Sequence, residues 1–265
     1  MVKIFRLIRQ QLLAQNQFSK YLAYAVGEIV LVVIGILIAL SLNSWDQNRT
    51  DRKKEILELT NLSADLEEQA LSLKEYMKVE NTYFENGISV LNHYARHKGF
   101  SEMDSVLPKL NSLVSRRTFN PINTTFRELI STGGIGLIQN DSLRQAIMQY
   151  YHHLERVTLV VSNNNARLVD GLFNPVVFEQ TLYLSDIDDP EVAKINNRIF
   201  DPESLKTLRS ASQKVLSDPQ KSLHLFNVLE ERMHVADGHR DIYEKLQKQT
   251  SGLHKAVKKE LEKMN

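Results

Sequence analysis

The sequence predicts an all-α protein: one N-terminal transmembrane helix followed by a helical bundle, entered through a long coiled-coil-like juxtamembrane helix. Three observations predict it. Apolar residues recur at three- and four-residue spacing along most of the chain, and no strongly alternating strand pattern is present. Tyr21–Asn43, YLAYAVGEIVLVVIGILIALSLN, is the only stretch able to cross a bilayer. All six prolines lie after residue 107, and between Gly35 and Gly133 only Gly87 and Gly99 interrupt, so the first part can run as long helix. The expected domains are a basic amphipathic cytoplasmic tail at 1–20, the transmembrane helix at 21–43, and a helical extracytoplasmic domain at 44–265.

The tail comes first. In VKIFRLIRQQLLAQNQF, Ile4, Ile8 and Leu12 fall on one stripe, with Phe5 and Leu13 beside it. Lys3, Arg6 and Arg9, with Lys20 further on, supply positive charge, a pattern suited to an anionic inner leaflet.

A spanning helix needs about 20 mostly apolar residues. The clean run Ile29–Leu42 has 14, so the span must also take in Tyr21–Glu28. Glu28 then lies about 9 Å inside the polar boundary, from the rise per residue. An ionisable group there reaches back to the headgroups or pairs across a helix contact. Ala23, Gly27, Gly35 and Ala39 fall on a four-residue spacing beside it, with Leu31 completing the row. Small residues at that spacing let two helices approach closely in lipid, so this face is expected to self-associate or to meet another membrane protein. Tyr21 and Tyr24 at one interface and Trp45, the only Trp, at the other form the expected aromatic anchors.

Lys/Arg counts tie across the span, four before (Lys3, Arg6, Arg9, Lys20) and four after (Arg49, Arg52, Lys53, Lys54). A short basic tail without acidic residues resists translocation, whereas a long domain does not. The expected placement is therefore the bacterial cytoplasmic membrane, N-terminus cytoplasmic and C-terminal domain periplasmic. Ala39-Leu40-Ser41 offers a small-x-small cleavage site, but the 28 residues before the apolar run, ending in Glu28, are atypical of a signal peptide.

Composition excludes several chemistries. The chain has no cysteine, which removes disulfides, thiol nucleophiles, Cys-based metal sites and lipoprotein acylation together. Net charge is +1, with +4 in the tail and −1 at Glu28, leaving −2 on residues 44–265. A near-neutral body without a basic stripe argues against nucleic acid.

After the span, Leu59, Leu62, Leu66, Leu73, Tyr76 and Tyr83 follow a heptad frame in which Gln69 and Glu80 are the polar members. Near residue 84 the stripe is expected to slip by one position, to Phe84, Ile88, Leu91 and Ala95. A shorter helix is expected over 101–117, with Pro108 near its start. Another begins at Asn123 and ends at Gly133-Gly134, a left-handed C-terminal cap. Asn140 or Asp141 caps the next, the most regular of all: Leu143, Ile147, Tyr150, Leu154, Val157, Val161, Asn164 and Leu168 are spaced 4-3-4-3-4-3-4, with Asn164 the one polar core position. That helix should end near Gly171 or Asn174-Pro175, with a short helix over Val176–Leu184. Asp201-Pro202 and Asp218-Pro219 each open a helix, the second running to about Lys263 with Phe226, Leu229, Met233, Ala236, Tyr243, Leu246, Leu253 and Val257 inward.

The segments FSKYLAYAVGEIVLVVIGILIALSLNSW and RELISTGGIGLIQNDSLRQAIMQYY carry a resemblance. The chain resembles a family of uncharacterised single-pass membrane proteins of Bacteroidetes, with Ser41, Ser44 and Asp46 departing from its pattern. The resemblance implies a membrane-anchored helical protein and no known activity.

His93 and His97 are four apart but lie outside the apolar frame; His152, His153 and Glu155 flank the regular stripe; Glu231-Arg-Met-His234 has a di-iron spacing but occurs once, with Met233 inward. Thr132-Gly-Gly-Ile-Gly136 follows a helix rather than a strand, unlike a phosphate loop. Asp186, Asp188, Asp189 and Glu191 lack the turn glycine of a calcium loop. With no inward polar cluster evident, no catalytic residue, metal site or cofactor is expected. The expected function is a membrane-anchored interaction or scaffold protein whose partners are the lipid bilayer and its own copies or another membrane protein. The alternative is a sensor-like ectodomain binding a small molecule of unknown identity; a metal-dependent enzyme ranks last.

Overall fold

The structure is a computed structural model that describes residues 18–100, 103–184, 194 and 199–264. The fold is all-α, without strands among the described residues. Helix α1 (Phe18–His97) is followed by a 3-10 turn (Met103–Ser105), α2 (Leu107–Ser112), α3 (Thr124–Thr132), a second 3-10 turn (Gly134–Leu137) and α4 (Asp141–Asn164). A π-helical segment (Asn165–Phe173) leads into α5 (Asn174–Gln180), and α6 (Pro202–Leu216) and α7 (Pro219–Met264) complete the chain. The chain divides into two compact units after Leu57.

The first unit contains the apolar part of α1. None of its most apolar 18-residue window is buried. Residues 29–42 are apolar around the whole helix circumference apart from Ser41, so no face is left polar.

The second unit is a bundle with two apolar clusters. One joins Leu59, Leu62, Leu66 and Leu73 of α1 to Ile147, Leu154 and Val161 of α4 and to Tyr243, Leu246 and Leu253 of α7. The other gathers Val90 of α1, Leu110 of α2, Phe173, Val177 of α5, and Leu225 and Leu229 of α7. Each fully buried leucine contributes about 1.5–3 kcal/mol relative to exposure. Helices α4 and α7 run antiparallel: Asn140 meets Glu260, Tyr150 meets Thr250 and Asn164 meets His239.

The expected caps are present. Asn140 accepts from Leu143 N–H at 3.1 Å, Asp201 from the N–H groups of Glu203 and Ser204, and Asp218 from Gln220 N–H. Gly133 takes φ +74° at the end of α3. Asn123 does not cap α3 with its own side chain; Asp65 reaches over from α1 and accepts from Thr125 N–H at 2.9 Å.

Three expectations about helices are corrected. First, the α1 stripe does not slip at residue 84. The frame continues through buried Gly87 and Val90, Ile88 and Leu91 are half-buried, and Ala95 is exposed. The glycine hid the frame: a Cβ on Gly87 would lie 2.3 Å from Met233 Cγ, so the inward position is filled from α7. Second, the helix expected over 101–117 is only the 3-10 turn and α2, and the chain then leaves helical geometry as an irregular strap over 115–123. Third, the α-helical turns of α4 stop at Asn164, short of both expected ends, and the π segment carries the chain past Gly171 to Asn174-Pro175, where α5 begins. The α4 stripe holds to Val161, then shifts to Asn165, Val169 and Phe173 at four-residue spacing, while Asn164 and Leu168 are half-buried. The π segment produces the shift, because a wider turn needs about one more residue to return to the same face. It also opens the backbone ahead of Pro175, whose ring would clash in a regular helix.

Candidate functional site

The residues expected in a membrane contact lie along α1. Gly27 and Gly35 are uncovered: a Cβ on either would meet nothing within 4 Å. Ala39 is exposed and Glu28 half-buried. Four residues overshoot a helical turn by about 40°, so the row Ala23, Gly27, Gly35, Ala39 winds around the helix rather than running straight. Trp45 is exposed, with the Arg49 guanidinium 5.9 Å from its ring centre. The backbones of Lys20, Tyr21, Ala23 and Tyr24 are helical. Lys3, Arg6 and Arg9 lie outside the described residues, as do Asp186, Asp188, Asp189 and Glu191.

The bundle holds a buried polar group that the periodicity only half revealed. The strap over 115–123 has no ladder or helix to satisfy its backbone, and buried orphan amides and carbonyls cost stability. Side chains from three helical segments replace that ladder. Arg232 of α7 donates to the carbonyls of Leu113 (3.0 Å) and Ser115 (3.2 Å). Asn165 donates to Arg117 O at 3.2 Å. The Tyr76 hydroxyl donates to Thr118 O and accepts from Asn120 N–H, both at 3.1 Å. Gln69 accepts from Ile122 N–H at 2.7 Å. Phe119 then anchors the strap, its ring 5.2 Å from Tyr76 and 5.3 Å from Tyr243.

Beside this cradle sit Glu80 and His239, both buried. Glu80 Oε1 lies 3.3 Å from His239 Nδ1, and Asn164 Nδ2 lies 3.2 Å from His239 Nε2. The Nδ1–H tautomer satisfies both contacts, donating to Glu80 and accepting from Asn164. Arg232 lies over the Tyr83 ring at 4.5 Å. Burial lowers the Arg232 pKa, with Glu80 and Tyr83 opposing the fall. Burial raises that of Tyr243, and the nearby Glu80 carboxylate adds to the rise. Glu80 Oε2 and the Tyr243 hydroxyl have no protein partner.

This polar group corrects the expectation that no inward polar cluster exists. Gln69 and Glu80 were legible as polar heptad members, and both are buried. Arg232, His239 and Thr250 were missed, although they fill the gaps in the α7 frame: Arg232, Ala236, His239, Tyr243, Leu246, Thr250, Leu253 and Val257 repeat at 4-3 spacing and are all buried. Reading that frame without regard to polarity would have found them. Thr250 donates to Leu246 O at 2.8 Å, so the 2.8 Å contact with Tyr150 uses the Tyr150 proton. Burial pushes the Tyr150 hydroxyl up to about 12, against that hydrogen bond.

The histidine candidates do not assemble. His93 is buried rather than turned outward, and its ring stacks on His97 at 4.1 Å with 27° between planes. His97 Nδ1 meets His93 O at 3.0 Å. Met233 is inward and His234 exposed, as the apolar stripe of α7 suggested, so the Glu231-x-x-His234 spacing does not face the core. Among the described residues no three His, Asp or Glu side chains are grouped to hold a metal.

Residues 28–198 match the model of a family of unknown function, DUF6090. The chain belongs to that family. No curated protein and no solved structure matches it. The matched region of this DUF6090 protein includes the strap and the α1 side of its cradle, Gln69, Tyr76 and Glu80, and ends before Arg232 and His239 of α7.

Proposed function

We propose that this DUF6090 protein is a single-span membrane protein whose helical domain acts through protein contacts rather than catalysis. The observation that carries this reading is the exposed, circumferentially apolar segment 29–42 of α1. In water such a helix has no face to present, whereas a bilayer solvates every face. The span is Tyr21–Asn43, with the basic tail in the cytoplasm and the bundle in the periplasm. Tyr21, Tyr24 and Trp45 mark the interfaces, and Lys3, Arg6, Arg9 and Lys20 hold the inner leaflet.

The non-enzymatic part of the reading is supported by the use to which the buried polar side chains are put. Arg232, Asn165, Tyr76 and Gln69 are engaged by backbone groups of the strap. Contact between copies runs through Ala23, Gly27, Gly35 and Ala39, with Glu28 beside the row. A membrane two-hybrid assay tests this: Gly27→Ile with Gly35→Ile should abolish the self-association signal while insertion is retained. An unchanged signal contradicts self-association through this face. Crosslinking in native membranes followed by mass spectrometry should capture a copy of the chain or another membrane protein.

A further inference from the structure

We propose that a groove at one end of the bundle, where α1, α6 and α7 meet, binds an amphipathic organic anion: an apolar or aromatic body carrying one carboxylate. The inference is independent of how the chain is anchored. The groove is open, with a volume of about 660 Å³, within the range of about 300–1,000 Å³ usual for small-molecule sites. Its apolar wall is an aromatic cluster. The Tyr94 ring lies 4.8 Å from Phe100 and 5.3 Å from Phe226. Leu223 completes the wall and is 53% exposed, an apolar surface left open to a ligand.

Lys98 carries the one formal charge on the groove wall among the described residues, beside the neutral polar side chains of Gln213, Ser217 and Ser222. Among the described residues the groove lining includes Lys98 and His97 and no Asp or Glu. Asp218, next in sequence to the lining residue Ser217, accepts from Gln220 N–H as a helix cap. An anionic head beside an apolar body complements this lining in both respects.

Lys98 is the decisive residue. It is the only non-glycine residue with positive φ, +54°, among the described residues. It occupies the left-handed position after α1, closed by a bond from Gly99 N–H to Tyr94 O at 3.1 Å. Glycine is the usual occupant of that position, and lysine there is strained. Here the glycine comes one residue later, at Gly99. The helix dipole does not explain the placement, because a lysine anywhere in the last turn would gain that interaction without strain. A cation is thus held at the groove at a cost to the fold.

The test uses the full chain in lipid nanodiscs, photolabelled with benzophenone-4-carboxylate and mapped by mass spectrometry. Labelling should concentrate in peptides covering 94–100 and 213–226. Lys98→Gly should raise the melting temperature by about 2–4 °C by relieving the strain, yet cut labelling of those peptides about two- to five-fold, as loss of one exposed charge pair does. Lys98→Arg should keep the labelling, and neutral benzophenone should be indifferent to Lys98→Gly. Ser222→Trp should fill the groove and abolish labelling by either probe. Labels scattered over the bundle, or groove labelling unchanged in Lys98→Gly, would overturn the proposal.

Discussion

Helix α1 contains two aliphatic stretches that meet opposite fates. In residues 29–42 the large side chains stay open; Leu31 is 65% exposed. In residues 59–76, Leu59, Leu62, Leu66 and Leu73 are fully buried. The two differ in pattern rather than in content. The second stretch has one apolar stripe and a polar remainder, including Lys74 and Glu75, which suits a bundle in water. The first has no polar remainder to turn outward. One continuous helix therefore carries two solvation requirements, and the boundary between them is written in the loss of polar residues rather than in any break of the backbone.

The largest expected effect breaks this contrast directly. Ile34→Lys with Leu37→Lys places two charges in the apolar stretch, at about 2.5–3.5 kcal/mol each for insertion. The double variant should move from the membrane to the soluble fraction on ultracentrifugation, whereas Leu71→Lys, at an exposed bundle position, should leave partition unchanged.

The next effect sharpens the bundle side. Arg232→Met removes both donors from the carbonyls of Leu113 and Ser115, at about 1–3 kcal/mol for each orphaned acceptor. The denaturant midpoint should fall accordingly, and hydrogen exchange should quicken first in the strap. A midpoint within error of the parent would show that the cradle does not hold the strap.

Gly87→Ala is expected to cost about 1–3 kcal/mol by overpacking, because the added carbon meets Met233. Gly87→Ala with Met233→Ala should recover part of that loss, and no recovery would place the strain elsewhere. By contrast Gly27→Ala, in the open stretch, should leave the bundle's unfolding midpoint unchanged.

The smallest effect is a pH dependence. Burial lowers the pKa of His153 and of His254 below the ordinary 6.5, with Arg156 and Lys258 respectively adding to the fall. A depressed folded value means that the unfolded chain takes up protons first, so the stabilisation is complete above about 6.5 and is lost as pH falls through the folded values. The urea midpoint should decline on going from pH 7.5 to 5.5, and His153→Gln with His254→Gln should flatten the decline.

These contrasts also show what was legible in the sequence. The caps at Asn140, Asp201, Asp218 and Gly133 were readable because each uses a residue whose chemistry is local. The α4 stripe was readable to Val161, since apolar spacing there is unbroken. The strap was not: SRRTFNPIN has neither helical nor alternating periodicity, and its order comes from side chains far away in sequence. Arg232 and His239 were hidden because polar residues at inward positions look like surface until their partners are known. The row Ala23, Gly27, Gly35, Ala39 was legible as spacing, and contact through it is the proposal that the two-hybrid assay tests.

The chain has no cysteine, so any single Cys replacement is the sole site for a thiol reagent. The most direct measurement is labelling of intact membrane preparations with a membrane-impermeant maleimide, before and after detergent. Leu37→Cys should stay unlabelled until detergent is added, while Lys74→Cys, in the bundle part of α1, should label without it. Ready labelling of Leu37→Cys in intact membranes would contradict the assignment of this half of α1 to lipid.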